Sequence, residues 1–506
     1  MNTTEESLRS IAKGAGIVFI GVFISKILAY IYRIIVARLG VEQYGFISIG
    51  IAILGVFVTV SLLGMNEGVI RYVSYFKGKD ERAKIKGVLS TALKLTTILG
   101  IVLSILLFIF SDQVAVRIFH NHQLSSIIKI FAIIIPINVF REILLSTIKA
   151  YRKVEYEVFS RNIVENSFKL LLTLLFIYIG FNILGAALAY LFATIASTII
   201  ALYFFRKVYL NFKINKPAEY SNKELLSYCW PLIFNTFIFQ VILWTDTFML
   251  GFFKTLSEVG IYNAALPTGQ LMYIFPYALM TLFFPVLSEL HASGSRQAFE
   301  SIYKTTTRWI FMINLALLSV FIIFSKQVIS VLFGREYLSG SMALVILSTG
   351  YFFYYLTSNS NYILMILKKT KLIFMNTIAA ALINILLNFI LIPKFGIVGA
   401  AIATVLSLMI IAILRFIESW TITRINPFKT DYIKILISIL IATSSTIYII
   451  RMLNIQRDIY ILIFGAILIG LIYILLLVIT RSFKENDLII LRAINQKIRG
   501  YLKIWV

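Results

Sequence analysis

Fourteen long apolar stretches succeed one another along this chain, separated only by short breaks that are charged or contain Gly or Pro. They run approximately over 15–37, 46–72, 88–110, 126–148, 161–180, 183–205, 226–250, 262–288, 305–325, 341–367, 371–392, 396–416, 432–450 and 459–480. About 20 apolar residues in a row suffice to cross the hydrocarbon core of a bilayer as a helix. A backbone in hydrocarbon must satisfy its own N–H and C=O groups, which leaves helices or a closed barrel. Runs of this length select helices. The spacing therefore predicts an all-α integral membrane protein with about 14 transmembrane helices. Apolar types supply 60% of the 506 residues and charged types only 14%, against roughly a quarter charged in soluble proteins. A soluble globule and a disordered chain are excluded. With Cys229 as the single cysteine, so is a disulfide-stapled scaffold. No small-residue cleavage site follows the first apolar run, so that run is expected to stay as a span.

Lys and Arg number 47 against 23 Asp and Glu, a net charge of +24. In a soluble protein this excess would suggest nucleic acid. In this chain it sorts by side instead. An even number of spans puts both termini on one side, and the basic residues crowd that side. The loop after the second span carries Lys77, Lys79, Arg82, Lys84 and Lys86, whereas the loop after the third carries Arg117 alone. The positive-inside rule then places both termini in the cytoplasm and accounts for the charge without nucleic acid. The tail, 481–506, is expected to be a cytoplasmic amphipathic helix. There Leu488, Ile489, Leu491, Ile494, Ile498 and Leu502 alternate with Arg492, Lys497, Arg499 and Lys503.

The chain also repeats itself. Arg38-Leu-Gly-Val-Glu-Gln-Tyr-Gly45-Phe follows the first span and Lys254-Thr-Leu-Ser-Glu-Val-Gly260-Ile-Tyr follows the seventh. Gly185-Ala-Ala-Leu-Ala189 is matched by Gly399-Ala-Ala-Ile-Ala403, and Arg152-Lys153 by Lys368-Lys369. All three matches share one offset of about 215 residues. Repeat partners are six helices apart, so both copies run the same way through the membrane. This parallel repeat predicts an N-terminal six-helix lobe over 1–210, a C-terminal six-helix lobe over 211–420, two extra helices over 421–480 and the tail. Two-lobe repeats of this kind suit alternating-access transport, with a site near the membrane midplane.

Three stretches resemble a known family: Ala37-Arg-Leu-Gly-Val-Glu-Gln-Tyr-Gly-Phe46, Arg71-Tyr-Val-Ser-Tyr-Phe-Lys-Gly-Lys-Asp80 and Ile392-Pro-Lys-Phe-Gly-Ile-Val-Gly-Ala-Ala-Ile-Ala403. With the span count and the repeat, the chain resembles the polysaccharide and oligosaccharide flippases of the multidrug/oligosaccharidyl-lipid/polysaccharide exporter superfamily. The resemblance implies translocation of a lipid-linked oligosaccharide, on a polyprenyl or dolichyl phosphate or pyrophosphate, across the cytoplasmic membrane through a V-shaped cavity. It implies no cofactor. Glycan-assembly enzymes, membrane lipids and a coupling Na⁺ or H⁺ are the partners it suggests.

Charges inside the spans locate the candidate site. Each costs roughly 2.5–3.5 kcal/mol at the bilayer centre, so it is expected to face a cavity or a partner. Lys26 and Arg33 lie seven residues apart, two helical turns, with no acid in their span. Arg71 stands four residues after Glu67, Arg141 beside Glu142, and Arg161, Glu165 and Lys169 follow at i,i+4 spacing. This first half is basic within the membrane, which suits an anionic head group: Lys meets phosphate as a point charge, Arg as a fork. Lys26, Arg33, Arg71, Arg141 and Lys169 are the candidate phosphate contacts. Glu67–Arg71, Arg161–Glu165 and Glu165–Lys169 also read as simple surface pairs along a helix, and Lys94 and Lys129 as cations snorkelling from span ends. The second half offers amides and rings: Asn235, Gln240, Asn314, Asn359, Asn361, Asn384 and Asn388, with Tyr351, Tyr354, Tyr355 and Tyr362. Of these, Asn384 and Asn388 share a face and are candidate glycan contacts; helix-to-helix hydrogen bonding is the alternative. Asp246, the one acid in the second-half spans, is the candidate for ion coupling. A break is expected near Gly64–Gly68, and another distortion at Pro267, Pro276 and Pro285.

No phosphate-binding Gly-x-x-x-x-Gly-Lys-Ser/Thr loop is present. His120, His122 and His291 all fall in loops, so no metal site and no catalytic residue is expected. Two other functions compete. A cation or drug antiporter would favour acids in its cavity. A membrane glycosyltransferase or polymerase would need a catalytic loop, and the outer loops 111–125 and 326–340 lack paired carboxylates. The charge sorting has a direct test. In a Cys229→Ala background, single cysteines placed in 77–87 should resist an impermeant thiol reagent added outside intact cells; labelling there would reverse the topology.

Overall fold

The computed structural model describes residues 21–210, 217–220, 222–428, 431–483 and 487, without the side chains of Leu210, Asn235, Phe239 and Leu282. Asn235 and the tail beyond residue 487 therefore lie outside the described residues. Within them there is no strand, and each of the fourteen apolar segments falls on helix.

We number the helices by span. In the first half, α1 covers 21–37 and α2 has two pieces, Val41–Leu62 and Met65–Gly78. Next come α3 (Arg82–Ile109), α4 (Leu124–Ala150), α5 (Val154–Glu157, a π turn over Val158–Val164, then Glu165–Tyr178) and α6 (Asn182–Leu210). The second half continues with α7 (Asn222–Phe253), α8 (Leu256–Gly269, a 3₁₀ turn over Gln270–Tyr273, then Ile274–Ala292), α9 (Arg296–Ile323) and α10 (Ser341–Leu356 with Ser358–Ile366). The helical stretch Thr370–Thr423 is 54 residues long, about 81 Å at 1.5 Å per residue, far more than one crossing. It divides at Gly396, whose φ of 54° and ψ of −130° are not helical, into α11 (370–395) and α12 (397–423). The last two are α13 (Asp431–Met452) and α14 (Asp458–Ile479). Among the described residues nine helices are individually long and apolar enough to cross a membrane. The pair Leu256–Thr281 and Phe283–Ala292, bent by 42°, makes a tenth.

The described chain separates into two compact units, residues 1–260 and 261–506. In the first, α5 packs on α6, α6 and α3 on α4, and α4 and α7 on α2. In the second, α10 packs on α9 and on α11–α12, and α13 on α14. Lipid is as apolar as leucine, so helices in a bilayer associate through close packing of small residues. The repeated Gly-Ala-Ala-x-Ala motif serves that end twice. Ala186, Ala187 and Ala189 are fully buried, and so are Ala400, Ala401 and Ala403.

The repeated glycine after the first helix of each half has a packing reason too. A Cβ on Gly45 would stand 1.9 Å from the Leu256 carbonyl oxygen, and one on Gly260 would stand 2.0 Å from that of Val41. Backbone meets backbone there, and no side chain can yield. The break in α2 falls at Leu63 and Gly64, with φ of 50° and 69°, where the sequence led one to expect it. A Cβ at Gly64 would meet the Cys229 carbonyl oxygen at 2.8 Å, so glycine answers both the backbone angle and the approach of α7. Outside the spans, Asp112 accepts from the Ser125 hydroxyl at 2.5 Å and pairs with Lys129 at 3.2 Å. These donors hold its carboxyl below the usual range, and Lys129 reaches out of α4 to this partner.

Overpacking a filled interior costs about 1–3 kcal/mol, and at Gly45 the obstacle is rigid. Gly45→Val should lower the melting temperature of the purified protein clearly. Gly78→Val, where a Cβ meets nothing within 4 Å, should leave it nearly unchanged. Equal melting of the two variants would remove the close-approach account.

Candidate functional site

The first unit holds an open cavity of about 510 Å³ walled by α2, α4, α5, α6 and α7. Helical spacing builds its charged side. On α5, Arg161, Asn162, Glu165, Asn166 and Lys169 fall at i, i+1, i+4, i+5 and i+8, one stripe along one face, and all five line the cavity. Arg141 and Glu142 face them from α4, with Asn138 one turn earlier. Gln240 and Trp244 come from α7. The Gln240 amide donates to the Gly55 carbonyl at 2.9 Å and the Thr59 hydroxyl at 2.8 Å, which ties α7 to α2.

The two shortest ion pairs of the wall cross between α4 and α5. Arg141 Nη1 donates to Glu165 Oε2 at 2.5 Å and to the Ser197 hydroxyl at 3.3 Å. Arg161 Nη2 donates to Glu142 Oε2 at 2.5 Å, and its Nη1 lies 3.6 Å from Glu157. The Ser197 hydroxyl in turn donates to the Ser160 carbonyl at 2.8 Å. That carbonyl belongs to the π turn, where the regular helical bonding of α5 is altered. The pairs expected along single helices are displaced by these contacts. Arg161 is bound to Glu142 and Glu157, Glu165 to Arg141, and Arg71 makes no bridge to Glu67 but sits over the Tyr228 ring at 4.2 Å. A helix-surface pair holds only about 0.2–0.5 kcal/mol, which a short, charge-assisted Arg–carboxylate hydrogen bond to a neighbouring helix outweighs.

Lys169 is left over. It is 7% exposed and, among the described residues, has no carboxylate within 4.0 Å. Its ammonium lies over the rings of Tyr32 and Tyr190, 4.8 Å from each centroid. A cation on an aromatic face gains about 0.5–2 kcal/mol, short of full compensation for a buried charge. The wall thus carries three cations, Arg141, Arg161 and Lys169, against two acids, Glu142 and Glu165. Among the described residues, two buried donors of the wall also lack partners, Arg141 Nε and Trp244 Nε1.

The other residues singled out from the sequence are dispersed. Arg33 is partly buried on α1, its Nη1 3.5 Å from the Tyr44 hydroxyl, and it is not in the cavity wall. Lys26 is exposed and also outside the wall. Seven residues share a face but separate by about 10.5 Å along the axis, so one cavity need not hold both. Arg71 is exposed beyond the break in α2. Asp246 is buried in α7, 4% exposed, outside the wall. Asn384 and Asn388 are buried in the second unit, where the Asn388 amide donates to Asn384 Oδ1 at 3.1 Å. Trp244 and Tyr190 were missed because single aromatics in apolar spans give no sequence signal. Asn162 and Asn166 gave one, their i,i+4 spacing beside the charged stripe. Two buried arginines of the second unit, Arg308 and Arg415, were also missed. Arg308 is bound by Asp487, which also accepts from Trp309 Nε1 at 2.8 Å.

Known proteins place this fold. The family model described as "Polysaccharide biosynthesis protein" matches residues 11–291, over half of the chain, and the chain belongs to that family. A second model, MatE, matches residues 231–390. An uncharacterized membrane protein of Methanocaldococcus jannaschii is 26% identical over 424 residues, 80% of this chain and 82% of that protein. A candidate O-antigen transporter of Shigella flexneri is 22% identical over 394 residues, 76% of this chain and 91% of that protein. The solved structure of the lipid II flippase MurJ in its inward closed conformation superposes with a TM-score of 0.67 at 17% identity, covering 93% of this chain and 99% of that one. The chain is a multi-pass membrane protein with the fold of these transporters.

The cross-helix pairs have a measurable signature. Removing one partner of a buried pair costs about 3–5 kcal/mol, whereas replacing both by apolar groups is often neutral. Arg141→Met and Glu165→Leu should each destabilise strongly and the double variant should recover most of the loss. Additive losses in the double variant would show that the two do not act as a pair.

Proposed function

We propose that the chain translocates a lipid-linked oligosaccharide across the cytoplasmic membrane by alternating access, and that the cavity of the first unit holds the phosphate or pyrophosphate of its polyprenyl or dolichyl carrier. The observation that carries this reading is the uncompensated cation. Arg141 and Arg161 are matched by carboxylates and Lys169 is not. A buried ammonium facing a polar cavity without an acid is most stable with an anion in that cavity. Arg141 Nε and Trp244 Nε1, which have no partner among the described residues, supply hydrogen bonds that a phosphate accepts and a protonated amine does not. Arg33, with no carboxylate within 4.0 Å among the described residues, is a second reservoir of positive charge on α1.

The names of similar proteins support the same substrate class. A cation or drug antiporter is disfavoured by the state of the acids: both cavity carboxylates are bound by arginines and offer no free anionic site. For coupling we assign Asp246, a buried acid of α7, to Na⁺ or H⁺. Membrane lipids surround the chain, both termini face the cytoplasm, and enzymes of glycan assembly deliver the substrate on that side.

Loss of a charged contact to a desolvated phosphate costs about 2–5 kcal/mol. Cells carrying Lys169→Met should accumulate lipid-linked glycan on the cytoplasmic leaflet, and Arg33→Ala should do so to a lesser degree. Asp246→Asn should block gradient-driven export while a purified sample still binds the lipid substrate. Full export by a well-expressed Lys169→Met variant would overturn the site assignment.

A further inference from the structure

The second unit has its own buried cation without an acid. Arg415, on α12, is 8% exposed, on the same face as the buried residues Ile411 and Ser419. Among the described residues it has no carboxylate within 4.0 Å. Its Nη1 donates to the Tyr354 hydroxyl at 3.3 Å, its guanidinium lies 5.8 Å from the Tyr354 ring centroid, and its Nε is buried with no partner. The nearby acid on the same helix, Glu418, is engaged by the Asn376 amide at 2.8 Å. A planar fork with a donor to spare, held by a tyrosine rather than a carboxylate, is set up to receive an oxyanion.

Next to this arginine the tyrosines of α8 and α10 form one continuous array. Tyr354 meets Tyr355 at 5.2 Å between centroids, Tyr355 stacks on Tyr351 at 5.7 Å with 13° between planes, Tyr355 meets Tyr273 at 5.7 Å, and Tyr273 meets Tyr277 at 5.1 Å. The 3₁₀ turn of α8, between Pro267 and Pro276, is what brings its residues here. Its Gln270 amide donates to the Tyr351 hydroxyl at 3.0 Å, and its Tyr273 is 39% exposed. The exposed ring of Tyr273, at the edge of this packed array and next to hydroxyls and an amide, matches the two sides of a pyranose, C–H groups on its faces and hydroxyls at its rim. An interfacial aromatic belt would leave its rings in lipid, one by one. These rings pack on each other and end on a buried charge.

We propose that Arg415 with Tyr354, Tyr273 and Gln270 is a subsite for an acidic pyranose, one bearing a carboxylate, in the transported glycan. It rests on the flippase reading and assigns the sugar to the second unit, apart from the phosphate cavity of the first. Arg415 takes the carboxylate and the tyrosines take the ring.

The test uses the purified full chain in nanodiscs and three probes: polyprenyl phosphate without sugar, a soluble glucuronate-containing tetrasaccharide, and the same tetrasaccharide with its carboxyls reduced to alcohols. A hydrogen bond between charged groups contributes about 1.5–3 kcal/mol, or roughly 10- to 100-fold in Kd. Arg415→Met should weaken the glucuronate probe by about that factor, leave the reduced probe within about twofold, and leave polyprenyl phosphate unchanged. Arg415→Lys should restore part of the glucuronate affinity, which a merely structural arginine would not do. Tyr273→Ala should weaken both sugars. The proposal is overturned if the wild type binds neither sugar, if Arg415→Met binds glucuronate as the wild type does, or if that variant loses all three probes together. Failure of the wild type to bind polyprenyl phosphate while it binds the glucuronate probe would instead strike the phosphate-cavity reading and leave this subsite standing.

Discussion

The pairing of Arg141 with Glu165 across the gap between α4 and α5 is the contact on which the rest of the site depends. Both groups are buried, 3% and 7% exposed, in helices that the apolar pattern assigns to the bilayer. Neither could stay charged there alone. Their mutual satisfaction, with Glu142 and Arg161 alongside, fixes how the two helices face each other. It also decides what remains. Once Glu142 and Glu165 are engaged by arginines, Lys169 is left against aromatic faces, and the residues lining the cavity carry one cation more than acids, with Glu157 binding Arg161 from outside the wall. The function proposed for the protein follows from that remainder rather than from the presence of basic residues as such.

How much of this was legible in the sequence varies with the physics. Long apolar runs fix helices because hydrocarbon permits little else, and the segments read from the sequence lie on helix throughout the described residues. The break in α2 was legible for the same local reason, a Gly-rich stretch in a segment too long for one crossing. Arg141 and Lys169 could be singled out because an ionisable residue in a span is expected to face a cavity or a partner, and both line the cavity. Their partners were not found. Spacing along one helix suggests i,i+4 pairs, but the choice between such a pair and a neighbouring helix is made by tertiary packing, which local spacing does not encode. Lys26 and Arg33 show the converse: a shared face is a direction, not a place. Arg415 escaped because a cation at the end of a span looks like an anchor for the membrane surface until its burial is seen.

Charge is thus handled twice in the molecule. In the first unit a set of arginines and glutamates is nearly balanced around one lysine, with amides and a tryptophan completing the wall. In the second unit Arg415 is held by a tyrosine at the end of an aromatic array, and Arg308 is neutralised by Asp487. A carrier of lipid-linked sugar needs two chemistries, one for a compact multivalent anion and one for a hydroxylated ring. The two units differ in the way those chemistries differ.

The central claim is that the first cavity selects an anionic lipid head group through an uncompensated Lys169. The most direct measurement is the affinity of the purified protein in nanodiscs for polyprenyl phosphate and for the uncharged polyprenol of the same length, in the wild type and in Lys169→Met. The account predicts that the wild type prefers the phosphate by about tenfold or more and that most of this preference disappears in the variant, while polyprenol binding stays the same. Equal affinity of the wild type for the two lipids, or an undiminished preference in Lys169→Met, would contradict it.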